Sequence, residues 1–380
     1  MQIIVKTFQG LEEVLAEELK LLGAKNIEPI KRAVSCTGDL KLLYKANLHL
    51  RTALRVLLTI STFEAKDEEA LYRNVHDFDW TQYIDESSTI AVDGVVFSDH
   101  FKHSKYVALK VKDAIVDKFR ETTGERPSID VNNPALRINV HIFQEKVTIS
   151  LDSSGSSLHM RGYRASNQEA PLNEVLAAGM LLVAGWKPNI PLIDPMCGSG
   201  TILMEAGMMA YNMAPAIRKK HFGFMKWRDY DGKLWERLHK KAEEAIATPK
   251  GSINGSDISG EVLDVAKVAT LDFKLNFGIR LMKMPFNRLY PKTDHGMLML
   301  NPPYGKRIKP DDINALYKDI GNTLKRTFIG FEAWILSPNV EALKNIGLHP
   351  SKKHTLFNGP LECKFQKFEM YEGSKKVAKN

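Results

Sequence analysis

Short strand-like segments at 190–194, 252–257, 279–284, 296–300 and 333–337, the last two apolar nearly throughout, alternate with longer stretches of helical spacing, and few architectures accept that alternation. Runs that are apolar nearly throughout are buried on both faces, so they predict a parallel sheet with helices on each side. After Asp311, residues Ile313, Leu316, Tyr317, Ile320, Leu324 and Phe328 recur at three and four and share one helix face. The end of the chain differs. Two β-like runs, 353–357 and 363–371, flank Asn358-Gly359-Pro360 and predict an antiparallel hairpin closing the sheet.

An independent α/β pattern precedes this one. Ile3-Ile4-Val5 opens as a strand, and Leu11, Val14, Leu15 and Leu19 follow at helical spacing up to Gly23. A strand over 89–97, a helix over 104–120 and strands over 136–141 and 147–151 complete a second sheet-and-helix unit. Between 152 and 167 the composition turns small and polar, which predicts a junction. With 380 residues, 44% of them hydrophobic, the chain can fill more than one core. Its longest nearly uninterrupted apolar stretch, 175–186, is short of the roughly twenty residues a membrane span needs. The N-terminus carries no basic region followed by a long apolar run, and Cys36, Cys197 and Cys363 stand far apart. A cytoplasmic protein with no membrane segment, disulfide framework or metal site is expected.

The charge is unevenly spread. Residues 1–160 hold 20 basic and 23 acidic side chains, whereas 161–380 hold 33 and 22. A positive C-terminal part suits a polyanionic partner, with plain solubility as the alternative.

Three segments carry the chemistry. Asp194-Pro195-Met196-Cys197-Gly198-Ser199-Gly200-Thr201 joins a predicted strand to a helix through a glycine turn, the place where α/β sheets bind nucleotide-like ligands. It lacks the Lys-Ser/Thr of a P-loop and the GxGxxG of dinucleotide enzymes, which disfavours a nicotinamide oxidoreductase. Asp257, ending the next strand, is placed to accept two ribose hydroxyls. The sharpest segment is Asn301-Pro302-Pro303-Tyr304, directly after a buried strand. Two prolines remove two N–H donors, so carbonyl oxygens and the Asn301 amide oxygen can accept both hydrogens of an exocyclic amino group. Tyr304 offers a flat face for a base. Cys197 reads as a small packing residue of the glycine loop rather than a nucleophile.

These segments resemble the class I S-adenosylmethionine-dependent methyltransferases that modify amino groups of bases. Residues 111–117 (VKDAIVD), 150–164 (SLDSSGSSLHMRGYR) and 170–174 (APLNE) are similar to the THUMP-containing RNA methyltransferases. Within these the chain most resembles the bacterial 23S ribosomal RNA guanine-N2 methyltransferase family, often labelled N6-adenine-specific DNA methylases. The aromatic insertion between Ala210 and Lys250 is similar too. The resemblance implies an α/β chain with a Rossmann-like seven-stranded methyltransferase domain at 171–380. A ferredoxin-like segment at 1–50, a THUMP RNA-binding domain at 51–155 and a linker at 156–170 would precede it. It further implies S-adenosylmethionine as cofactor, held by Asp194, Met196, Cys197, Gly198, Ser199, Gly200, Thr201, Asp257 and Asn301. Asn287 is added where many relatives carry an acid.

Asn301, Pro302, Pro303 and Tyr304 are the expected catalytic residues. Expected RNA contacts are Lys105, Lys112, Arg161, Arg164, Lys306 and Arg307, with interdomain packing the alternative for the two arginines at 161 and 164 and solvated surface for Lys306 and Arg307. Adenine-N6 methylation of DNA or RNA, or a non-catalytic RNA-binding factor, stay open at this point.

Overall fold

The computed structural model describes residues 1–164, 172–249, 251–304 and 310–373, residues 310 and 311 by backbone alone. Its contacts form two units. The first comprises Met1–Thr7, Leu15–Leu158 and Arg218–Lys241, and the second Phe8–Val14, His159–Ile217 and Ala242–Asn380.

The first unit is built on strands β1 (Gln2–Lys6), β2 (Lys25–Ile30), β3 (Ala33–Thr37), β4 (Arg55–Glu64), β5 (Thr89–Phe97), β6 (Ser128–Ile129), β7 (Leu136–Phe143) and β8 (Lys146–Asp152). They make one sheet in the order β2-β3-β1-β4-β8-β7-β5-β6. Alternation sets its buried face: Ile3 and Val5 of β1 and Ile138, Val140 and Ile142 of β7 are fully buried. The helix Ser104–Thr123 buries Val107, Val111, Ala114, Ile115 and Phe119, as its spacing predicts, and stops at Gly124 with φ +80°.

Two parts of this unit depart from expectation. Residues 218–241, inside the stretch 171–380 assigned to the methyltransferase domain, pack with the first unit. Phe224 stacks on Tyr44 at 4.3 Å between ring centroids, and Arg228 bonds Asp85 at 3.0 Å. The small polar segment is packed rather than loose at its start, where Asp152, Ser153 and Ser154 are buried. Asn47 donates to Ser153 Oγ at 2.8 Å and accepts from Ser154 Oγ at 2.7 Å, all three side chains being buried. Small residues permit this because a side chain at Gly155, φ +72°, would press on the backbone of Gly223. Of the expected linker, 165–170 lies outside the described residues.

The second unit holds β9 (Leu192–Asp194), β10 (Ile253–Asp257), β11 (Ile279–Lys283), β12 (Gly296–Leu300), β13 (Phe331–Ser337), β14 (Lys352–Asn358) and β15 (Leu361–Glu369). Their order is β11-β10-β9-β12-β13-β15-β14. The first five strands are parallel to one another, and β15 pairs antiparallel with both β13 and β14, giving the expected hairpin. From β9 the chain steps outward through β10 to β11, then returns to the opposite side of β9 for β12. The strand order therefore reverses between β9 and β12, the place where doubly wound sheets open a ligand crevice outside the carboxyl ends of their strands. Ile193 pairs with Leu298, so those two ends lie side by side. Beneath them the helix Pro310–Thr327 sends Ile313, Tyr317, Ile320 and Leu324, with Phe328 just after it, into a core shared with Leu298, Leu300 and Ile335.

Candidate active site

The glycine loop and Asp257 meet at the carboxyl ends of β9 and β10. Asp194 ends β9 and is buried, its carboxylate accepting from the Met196 amide at 3.3 Å. The Cys197 amide donates to the Ser256 carbonyl at 3.0 Å, and the Gly198 amide to Asp257 Oδ2 at 2.9 Å. Asp257 Oδ1 accepts from the Ser259 amide. The loop is thus tied to β10 along its length, which places both carboxylates around one turn. The Asp194 carboxyl is pushed up to about 8, by burial first, with the Asp257 charge adding to the rise and the Met196 amide opposing it. Burial raises the Cys197 thiol as well, which suits packing and not nucleophilic attack.

Two glycines make the turn possible. Gly198 (φ +53°) has open space where a side chain would stand, leaving a cradle against the backbone. Gly200 (φ +82°) caps the helix Thr201–Ala210, with no side chain bonded to the first-turn amides. A Cβ there would lie 3.1 Å from that of Ala266. Gly200→Ala should therefore lose roughly 1–2 kcal/mol from the left-handed backbone alone, read as a lowered Tm.

Asn301 directly follows β12. Its amide oxygen Oδ1 is buried and accepts no hydrogen bond from the described residues. An unmet buried acceptor costs about 1–3 kcal/mol, a penalty relieved when a donor arrives. Pro302 is buried, and no described residue donates to its carbonyl. Tyr304 is half-buried, and its hydroxyl accepts from Asn358 Nδ2 at 3.0 Å, at the tip of the β14–β15 hairpin. Sequence reasoning missed Asn358, because only the fold brings it to the turn.

The remaining expected site residues differ in exposure and in their partners. Asn287 is exposed and its amide donates to Asp319 at 3.2 Å. Arg161 is corrected: its side chain is fully buried beside Glu205, Nε to Oε1 3.5 Å, so it cannot meet RNA. Tyr163 donates to the same carboxylate at 2.9 Å, which makes this a structural cluster on the helix behind the glycine loop. Arg164 pairs with Glu174 at 3.2 Å and donates to the Leu172 carbonyl, a packing role as well. Lys105 is exposed on the first unit, and Lys112 pairs with Asp113. Lys306 and Arg307 lie outside the described residues.

Residues 161–367, more than half of the chain, match the family model described as RMKL-like, methyltransferase domain. The chain belongs to the RMKL-like methyltransferase family. Residues 65–152 of this methyltransferase match the THUMP domain, and 2–57 the RlmL ferredoxin-like domain. It is 40% identical to the Synechocystis sp. protein "Putative RNA methyltransferase slr0064", over 96% of this chain and 95% of that one. It is 37% identical to the ribosomal RNA large subunit methyltransferase K/L of Syntrophotalea carbinolica, over 96% of this chain but 53% of that protein, and so spans about half of its length. Among solved structures, SMU.472, described as a putative methyltransferase complexed with SAH, aligns with TM-score 0.88 and 27% identity over 98% of this chain and 99% of that one.

Proposed function

We propose that this methyltransferase moves a methyl group from S-adenosylmethionine to the exocyclic amino group of a base in RNA, N2 of a guanine in 23S ribosomal RNA. The observation that carries the reading is the Asn301 oxygen, buried without a donor among the described residues, at the switch point between β9 and β12. The RNA part rests on the THUMP match and on the names of the relatives. A cytoplasmic location follows from that substrate.

The residues fit the cofactor. The open cradle at Gly198 admits a ligand against the backbone, Asp257 stands at the ribose position, and Asp194 offers a carboxylate to a cation. Met196, Cys197, Ser199, Gly200 and Thr201 form the rest of the loop, and Asn287 is the proposed acceptor for an adenine amino group. S-adenosylmethionine supplies an electrophilic methyl carbon. The chain supplies orientation and acceptor electrostatics. Asn301 Oδ1 and the Pro302 carbonyl accept the two N–H bonds of the target amino group, Pro303 stiffens the turn, and Tyr304 stacks on the displaced base. The nitrogen becomes acidic as it gains the methyl and releases its proton to water, so no strong base is required.

Two expected results test the parts. With its carboxyl held near 8, Asp194 is protonated in the free protein at neutral pH and must ionise to pair with a cation. Affinity for S-adenosylmethionine should therefore climb from pH 6 toward about 8, approaching tenfold per unit, and then level off. Calorimetry across pH 6–9 reads this, and Asp194→Asn should flatten the curve. Asn358→Ala should raise KM for RNA by roughly 2- to 10-fold, the worth of one hydrogen bond, with little change in kcat. Tyr304→Phe should do the same, and the double variant should be no worse than either alone.

The whole reading is tested by methyl transfer to ribosomal RNA lacking the modification against plasmid DNA. Labelled RNA is expected. Labelled DNA favours adenine-N6 methylation, and failure to bind the cofactor favours a non-catalytic RNA-binding factor.

A further inference from the structure

In the first unit a cleft of about 480 Å³ opens between the end of the helix Glu12–Leu22, strands β2 and β3, and the helix Leu40–His49. Three lysines line it: Lys25 from β2, and Lys41 and Lys45 one turn apart on the helix. Lys25 and Lys41 are exposed and Lys45 is half-buried, its Nζ 3.5 Å from the Leu22 carbonyl. Among the described residues none of the three forms an ion pair. The one carboxylate lining the cleft, Asp39, is occupied as the helix cap and accepts the Leu42 amide at 2.8 Å. Like charges spaced i,i+4 weaken a helix, and an anion bound between Lys41 and Lys45 would relieve that repulsion.

We infer that this cleft docks the phosphate backbone of the RNA substrate. The inference rests on the RNA reading above and adds a site to it. Charge distribution favours it: residues 1–57 hold nine basic and six acidic side chains, whereas 58–160 hold eleven and seventeen. Within the first 160 residues the net positive charge therefore lies in the stretch that carries this cleft, 1–57, and not in 58–160. No aromatic side chain lines the cleft, so bases have nothing to stack on. Lysine ammonium groups act as point charges and do not form the planar fork that reads a base edge. The site accordingly contributes register and affinity with little sequence preference.

The test uses the full chain and an rRNA fragment that it methylates. Binding is measured as a function of salt for the wild type, for K25Q/K41Q/K45Q, and for a control, K20Q/K66Q/K146Q, that removes equal charge from the same unit. Releasing three phosphate contacts should flatten the slope of log K against log salt by about 2 to 3 and weaken binding at least tenfold near 0.1 M salt. The control should keep the wild-type slope. S-adenosylhomocysteine affinity should stay at the wild-type value in both variants, which checks that they fold. A cleft variant with the wild-type slope and affinity, in a chain that still binds and methylates RNA, overturns the cleft alone. Equal losses in the control and cleft variants also overturn it, since the effect would then be net charge. A wild-type chain that binds no RNA overturns the cleft and the RNA reading together.

Discussion

Asn301→Ala is expected to lower methyl transfer by about 100- to 1,000-fold while S-adenosylhomocysteine still binds, because aimed groups at a reacting centre are worth roughly 10²–10³ in kcat. The physical reason is the state of its amide oxygen. Oδ1 is buried after β12 with no donor among the described residues, a standing penalty relieved by the N–H of a target amino group. Alanine removes the acceptor without touching Asp194, Gly198 or Asp257, which organise the other side of the crevice. Asn301→Asp keeps an oxygen acceptor but adds a charge that must be desolvated, so it should rescue little. Retained turnover in Asn301→Ala would contradict the proposed role.

Arg161→Met should have the largest effect on stability, about 3–5 kcal/mol, since it leaves the Glu205 carboxylate buried without its cationic partner. For a unit of this size that corresponds to a fall of roughly 10 °C in Tm. The double variant Arg161→Met with Glu205→Met should recover much of the loss, because an apolar pair of similar volume replaces a buried ion pair at little cost. Tyr163 then loses its acceptor, so recovery should stay incomplete. Thermal denaturation reads all three. An RNA-contacting arginine would behave differently: its loss would change the salt dependence of binding and leave Tm alone. An unchanged Tm would refute the structural role.

The difference between those two residues indicates what sequence could carry. Asn301 was legible because its chemistry is local: the prolines beside it and the strand before it fix which oxygens face outward. The parallel strands were legible for the same reason, with 296–300 matching β12 residue for residue and 279–284 overrunning β11 by one. Arg161 was not legible, since its partner Glu205 lies on a helix brought over only by the fold, and an arginine among small polar residues reads as surface. Strands β2 and β3 escaped notice too. The sequence of β2, KNIEPI, is nearly all exposed at the sheet edge, carries a proline and pairs with β3 through a bulge, so no alternation marks it. The packing of 218–241 on the first unit through Phe224 and Arg228 depends on partners at Tyr44 and Asp85 that no local pattern names.

The most direct measurement is nucleoside mass spectrometry of 23S rRNA, first unmodified, then incubated with S-adenosylmethionine and either the wild-type chain or Asn301→Ala. The account expects one added N2-methylguanosine with the wild type and none with the variant. Methyl groups on another atom, or equal incorporation by both proteins, would contradict it.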